Sequence, residues 1–187
     1  GDINEQKSTK KEDDETNETI VCRPTGFYDI PITNDTDNSE KKWGRKVHQY
    51  FSQIVTKNDI ERVKDKVEKE CSTEDKEKIF KNIDIVFKNN ENILFGPEGS
   101  IVKNEIAIWY RENENAQTKI IDRLVLCPDH TAYIIDYKTG SNHDENEETY
   151  KKQVNWYAQL ITEMGYKVTI KKLLYINKES DMEFVDV

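Results

Sequence analysis

Apolar residues recur at helical spacing through the first half of the chain and then give way to strand-length runs. Trp43, Val47, Tyr50, Phe51 and Ile54 share one face of a helix predicted over 42–55. Ile60, Val63 and Val67 do the same over 58–70, where Asn58 is placed to cap. Ile79, Phe80, Ile83, Val86 and Phe87 predict a third helix starting near Ser72 and Thr73, with Glu74 and Asp75 in its first turn. Gly96-Pro97-Glu98-Gly99 breaks the chain. Strands are predicted over 101–110, 118–127 and 132–139, with polar turns at 113–115 and 128–130. A helix over 146–164 follows, with Gly165 as its C-terminal cap. Residues 167–177 alternate polar and apolar and predict a strand, and 182–187 a short edge strand. Upstream, 19–33 predicts an irregular strand against the body, and 34–40 a polar loop. Helices, antiparallel strands, a long helix and a further strand fit an α/β core with a mixed central sheet.

Charge divides the chain. Residues 1–40 hold 11 acids against 4 bases, so −7 of the net −9 belongs to them. Residues 1–18 carry almost no apolar side chains and read as disordered. The division predicts an acidic, partly disordered lead-in or linker over 1–40 and one domain over 41–187, long enough for a real core. A net acidic protein is a poor nonspecific DNA binder, but here the body is near neutral. No run of about 18 apolar residues exists, so no membrane span is expected. Cys22, Cys71 and Cys127 are odd in number and widely spaced; they read as free thiols of a cytoplasmic protein. Three scattered cysteines cannot make a four-cysteine iron–sulfur cluster. No phosphate loop of the G-x-x-x-x-G-K-S/T type occurs, so no ATP site is expected. The chain begins at Gly1 without an initiator Met, which predicts a segment of something longer.

The chemistry concentrates on Tyr133-Ile134-Ile135-Asp136-Tyr137-Lys138, with Asp122 fourteen residues before Asp136. Asp136 and Lys138 lie two apart on a strand and share a face. Unpaired buried charge is expensive, so the pair needs a reason. Two acids and a lysine at one sheet edge suit a divalent metal and a water beside a phosphate, and hard oxygen donors suit Mg²⁺ or Mn²⁺. The plainer alternatives are a salt bridge from Asp122 to Arg123 or Lys119, and an Asp136–Lys138 ion pair without chemistry. Glu105, opening an apolar strand, either reaches a metal through water or caps a lysine. Gln153 and Tyr157 are four apart and share a helix face, which Tyr150 extends. His130, His143 and the acidic loop 144–148 read as solvated.

These residues stand in an order that resembles the PD-(D/E)xK nuclease superfamily, and within it the RecB-type exonuclease branch. That branch is the nuclease domain at the C-terminus of AddA/RecB-like helicase subunits. Gly44-Arg45-Lys46-Val47-His48 is similar to its early G-x-x-x-H helix, and Ile121-Asp122-Arg123-Leu124 to its i-D-r-l strand. Ile135 to Gly140 resembles its v-D-Y-K-T-G strand, and Tyr150, Gln153 and Tyr157 its Y-x-x-Q-x-x-x-Y helix. The likeness covers roughly residues 43–176. Relatives often carry glycine just before the i-D-r-l strand, where this chain has Lys119 and Ile120.

The resemblance implies a restriction-endonuclease-like core, a mixed sheet flanked by helices with an N-terminal helical region. It implies a metal held by His48, Asp122, Asp136 and the Tyr137 backbone carbonyl, with Glu105 as a possible addition. Asp122, Asp136 and Lys138 would be catalytic, Lys138 orienting the attacking water. Gln153, Tyr157 and Tyr150 would support the site or contact the substrate backbone. Gly44 would let its helix approach the sheet. The implied activity is Mg²⁺- or Mn²⁺-dependent DNA exonuclease within an ATP-dependent helicase–nuclease for end processing and recombinational repair. The implied partners are DNA, a helicase domain of the same parent chain and a second subunit. The alternatives are a non-catalytic nuclease-fold module that binds DNA or a subunit, and a stand-alone RecB-family nuclease.

Overall fold

The computed structural model describes residues 21–24, 39–112, 115–139, 143–176 and 182–187. The lead-in predicted for 1–18 lies outside them. The strands are β1 (Val21–Pro24), β2 (Ile101–Glu112), β3 (Asn115–Leu126), β4 (Thr131–Lys138), β5 (Lys167–Ile176) and β6 (Met182–Asp186). The helices are α1 (Ser39–Phe51), α2 (Asp59–Glu70), α3 (Thr73–Ile83), α4 (Glu91–Leu94) and α5 (His143–Glu163), with a π-helical turn over Asp84–Lys88. The strands form one six-stranded sheet in chain order. Neighbours run antiparallel except β4 and β5, which α5 joins as a parallel pair. The fold is a restriction-endonuclease-like α/β core with an N-terminal helical region.

The predicted periodicities become two core layers. Trp43, Val47, Tyr50, Phe51 and Ile54 are all buried, and with α2, α3 and α4 they cover one face of the sheet. Val154, Tyr157, Leu160 and Ile161 of α5 cover the other. β4 is buried from Ile134 to Tyr137, as a strand covered on both faces must be.

The helix ends differ from expectation for local reasons. Asn58 makes no side-chain cap on α2. Asp59, the first residue of α2, instead ties down the preceding loop, its carboxylate accepting from the Val55 and Thr56 backbone N–H groups and the Thr56 hydroxyl. Ser72 caps α3 as expected. The predicted third helix does not run straight on; the π turn buries both Val86 and Phe87, and Phe87 packs edge-on against Phe51. Gly165 takes φ +92°, the left-handed conformation a glycine cap supplies. Helix α1 begins three residues earlier than expected and stops at Phe51 rather than Val55.

That early stop has a cause. Asn104 Nδ2 donates to the Ser52 and Ile54 carbonyls at 2.8 and 3.2 Å. Arg123 Nη1 donates to the same Ile54 carbonyl at 2.9 Å, and Arg123 Nε to the Leu94 carbonyl at 2.7 Å. Asn104 and Arg123 are register partners on β2 and β3, and Arg123 Nη1 also donates to Asn104 Oδ1 at 3.2 Å. The guanidinium is fully buried, with Phe87 and Phe95 rings 5.3 and 5.1 Å from it. A buried arginine is tolerable when carbonyls and aromatic faces replace its water. Arg123 therefore ties β3 to the exit of α1 and to α4.

Replacing Arg123 with Met would strand the Leu94 carbonyl, at about 1–3 kcal/mol, and leave the Ile54 carbonyl with Asn104 as its partner. Urea unfolding is expected to show a loss in that range. A loss below about 1 kcal/mol would mean that the clamp is not needed.

Candidate metal centre

One step along from the clamp, both ladders of β3 lapse. The β3–β4 register ends at Arg123↔Ile135, so Asp122 and Asp136 face each other at the first unpaired position. The β2–β3 register skips the pair Glu105/Asp122 between Asn104↔Arg123 and Ile106↔Ile121. Glu105 takes φ +50°, an unusual conformation for a side chain with a Cβ. Its effect is visible in the packing. Val102 and Asn104 reach the α1 side, yet Ile106 and Ile108 belong to the α5 side. On β3, Val125 lies on the α1 side and Ile121 on the α5 side. An unbroken strand would keep residues an even number apart on one face. Both strands thus change sides at Glu105 and Asp122.

The opening leaves backbone groups to be satisfied, and side chains satisfy them. Asp122 Oδ2 accepts the Tyr137 backbone N–H at 2.7 Å. The Tyr157 hydroxyl donates to the Ile120 carbonyl at 2.8 Å and accepts from Gln153 Nε2 at 2.5 Å. The helix face read from sequence thus meets β3 two residues before Asp122.

Helix α1 supplies the third wall. Gly44 faces the end of β4, where a Cβ would come within 2.5 Å of Thr139 Oγ1. That close approach brings His48, one turn on, over the opening. His48 Nδ1 lies 3.3 Å from Asp122 Oδ1 and 3.6 Å from Glu105 Oε1. Donor atoms of His48, Glu105 and Asp122 lie within 4.8 Å of one another. Asp136 is not in that group: it is 2% exposed and pairs with Lys138 Nζ at 2.6 Å. The ammonium also sits 4.1 Å from the centre of the Tyr150 ring. Arg123 does not pair with Asp122, because it points into the core on the α1 side.

Electrostatics follow from this crowding. Burial alone would lower the His48 pKa, but Asp122 and Glu105 outweigh it and push it up to about 10. Burial, together with the Asp122 charge, raises Asp136 to about 6 although Lys138 and His48 oppose the shift. Burial raises the Tyr137 hydroxyl to about 12, against the pull of Arg123. Two carboxylates and one imidazole around a single opening, with the Asp136 carboxyl beside them, fit a divalent cation, whose charge would offset the repulsion. The nitrogen–oxygen donor set suits Mg²⁺ or Mn²⁺.

Residues 118–185 match the family model of the PD-(D/E)XK nuclease superfamily. The match spans Asp122, Asp136, Lys138, Gln153 and Tyr157, and begins after α1 and β2. No curated protein matches the chain. Residues 118–185 are therefore similar to the PD-(D/E)XK nuclease superfamily, and the restriction-endonuclease-like core carries a group able to hold a metal. Among the described residues, no helix is long and apolar enough to cross a membrane.

Sequence reasoning left Glu105 undecided between a metal and a lysine. The signal that places it is its register with Asp122, which a single sequence does not display. Glu105→Gly removes a left-handed side chain and one of three crowded carboxylates. In chelator the relief of the left-handed backbone, about 1 kcal/mol, is set against the lost His48 partner, so stability is expected to stay within about 1 kcal/mol of the unsubstituted chain. Its Mn²⁺ affinity by calorimetry should fall at least about tenfold. Unchanged Mn²⁺ affinity would take Glu105 out of the centre.

The metal-free fold should also weaken as pH rises. His48 has a folded pKa of about 10 against an ordinary 6.5. Its contribution is complete below the lower value and is lost as pH climbs through the upper one. Asp136, raised from 3.8 to about 6, favours the neutral acid, so its penalty also appears as pH rises through that window. Urea midpoints in chelator are expected to fall between about pH 6.5 and pH 9.5, and His48→Ala should flatten the fall. A level midpoint in the unsubstituted chain would contradict the pairing.

Proposed function

We propose that residues 41–187 form a divalent-metal-dependent DNA exonuclease domain. In this reading it is the nuclease part of an ATP-dependent helicase–nuclease that processes DNA ends for recombinational repair. The observation that carries the reading is the convergence of Asp122, Asp136, Lys138, His48 and Glu105 where β3 parts from β4 and skips a pair with β2. The superfamily match over 118–185 supports it.

His48, Glu105 and Asp122 would hold the metal, with Asp136 as the neighbouring carboxylate. Bound there, Mg²⁺ or Mn²⁺ would supply positive charge for the phosphate and polarise a water. Lys138 is the chain's own cation at the mouth. Its ammonium stabilises charge building on the phosphate oxygens and holds the attacking water in line. Asp136 keeps that ammonium from swinging into solvent. Gln153 and Tyr157 fix β3, and with it Asp122, so the carboxylates stay in register while the substrate changes shape. The near-neutral body suits a domain whose partner supplies most of the DNA affinity. That partner would be a helicase domain of the same parent chain, with a second subunit in the assembly.

The test is nucleotide release from linear single- and double-stranded DNA with Mg²⁺ or Mn²⁺, beside Lys138→Ala and Asp136→Ala. Cleavage is expected to need the metal and to start at ends. Each variant should lower it by at least about 100-fold. A wild-type chain that neither cleaves nor takes up Mn²⁺ would sink the catalytic reading and leave a binding module.

A further inference from the structure

The Lys138 ammonium has two neighbours of different kinds. Asp136 holds it by charge at 2.6 Å, and the Tyr150 ring lies 4.1 Å away on α5. A cation within about 6 Å of a ring centre is attracted by the negative face of the aromatic system. The Lys138 side chain is 17% exposed, so water competes little for it. Tyr150 is part-buried at the edge of the α5 core, which fixes where its ring stands.

We propose that Tyr150 is a positioning residue for Lys138, acting through its ring face and not through its hydroxyl. The inference rests on the nuclease reading and adds the part of α5 that serves the lysine. A lysine side chain has four rotatable carbons, and one carboxylate two residues away constrains only part of that freedom. The carboxylate is also the group that a bound cation would compete for. The ring is neutral and a poor ligand for a hard cation, so its hold on the ammonium persists when Asp136 changes partner. Tyr150 stands one turn ahead of Gln153, which bonds Tyr157. A single helix face thereby sets both β3, through Tyr157, and the lysine of β4, through Tyr150.

The experiment compares Tyr150→Phe with Tyr150→Leu in the full chain. Proton NMR of the Lys138 ε-methylene reads the placement directly, because a ring face shifts such protons upfield. The upfield shift is expected in the unsubstituted chain and in Tyr150→Phe, and should be lost in Tyr150→Leu. Steady-state cleavage reads the consequence. Tyr150→Phe should stay within about twofold of the unsubstituted chain, while Tyr150→Leu should lose about tenfold in kcat with KM held within about twofold. Equal losses in both variants would assign the effect to the hydroxyl and overturn the proposal. A rise in KM alone for Tyr150→Leu would place the ring against substrate and overturn it too. Absence of the upfield shift would overturn it whether or not the chain cleaves DNA. Failure of the nuclease reading itself would show instead as absent cleavage by a chain whose shift is present. Matching thermal midpoints for the two variants would separate positioning from general loss of fold.

Discussion

A buried guanidinium holds this molecule in its working shape. Among the described residues no carboxylate pairs with Arg123; the Leu94 and Ile54 carbonyls, the Asn104 side chain and two phenylalanine rings surround it. Those contacts come from the exit of α1, from α4, from β2 and from the π turn. One side chain therefore sets the distance between the sheet and the helical layer. Because α1 is fixed at its end, His48 one turn earlier is fixed as well. Because Arg123 is fixed on β3, so is Asp122 beside it. The metal centre borrows its rigidity from the neighbouring residue on the same strand and from α1 and its exit, which the two of them touch.

The centre itself exists because hydrogen bonding in the sheet is interrupted. A continuous ladder would place Asp122 and Asp136 opposite each other with their backbones closed against water and substrate. Here β3 parts from β4 and skips one pair with β2, and the released groups are taken up by Asp122 on Tyr137 and by Tyr157 on Ile120. The left-handed backbone at Glu105 is the visible cost of the opening, since such a conformation disfavours any side chain with a Cβ. The same break turns both strands over, which lets one face carry Val102 and Val125 to α1 and the other carry Ile106 and Ile121 to α5. Opening the site and building two cores are one structural event.

The lysine belongs to a different support. Asp136 and Lys138 lie on β4, which stays paired with β5 through Lys138↔Tyr175 after it has left β3. The carboxylate–ammonium pair is thus anchored on the parallel half of the sheet, and the His48, Glu105 and Asp122 group on the antiparallel half. Helix α5 is the crossover between β4 and β5 and touches both sides, through Tyr157 on β3 and Tyr150 at Lys138. Small shifts of that helix would change the two halves together.

Much of this was legible in the chain because local period is a property of sequence. The 3.6-residue rhythm of Trp43, Val47, Tyr50, Phe51 and Ile54 marks a helix that must be covered, and the two-residue step from Asp136 to Lys138 places them on one face of a strand. The glycine at 44, the Ser72 cap and Gly165 were also readable, since each answers a steric or capping need of its own element. Tertiary structure decided what depends on which strands become neighbours. It sent Arg123 away from Asp122 into the core, ended α1 at Phe51 by supplying donors to the carbonyls beyond it, and brought Glu105 across to His48. It also gave Asp136 to Lys138 rather than to the three-donor group. Apart from the Asp136–Lys138 pair, two residues apart on β4, none of these contacts lies within a turn or a strand step of its partner. A single chain without its fold specifies the intervals between residues, and distances across the sheet arise only when β2, β3 and β4 are laid side by side.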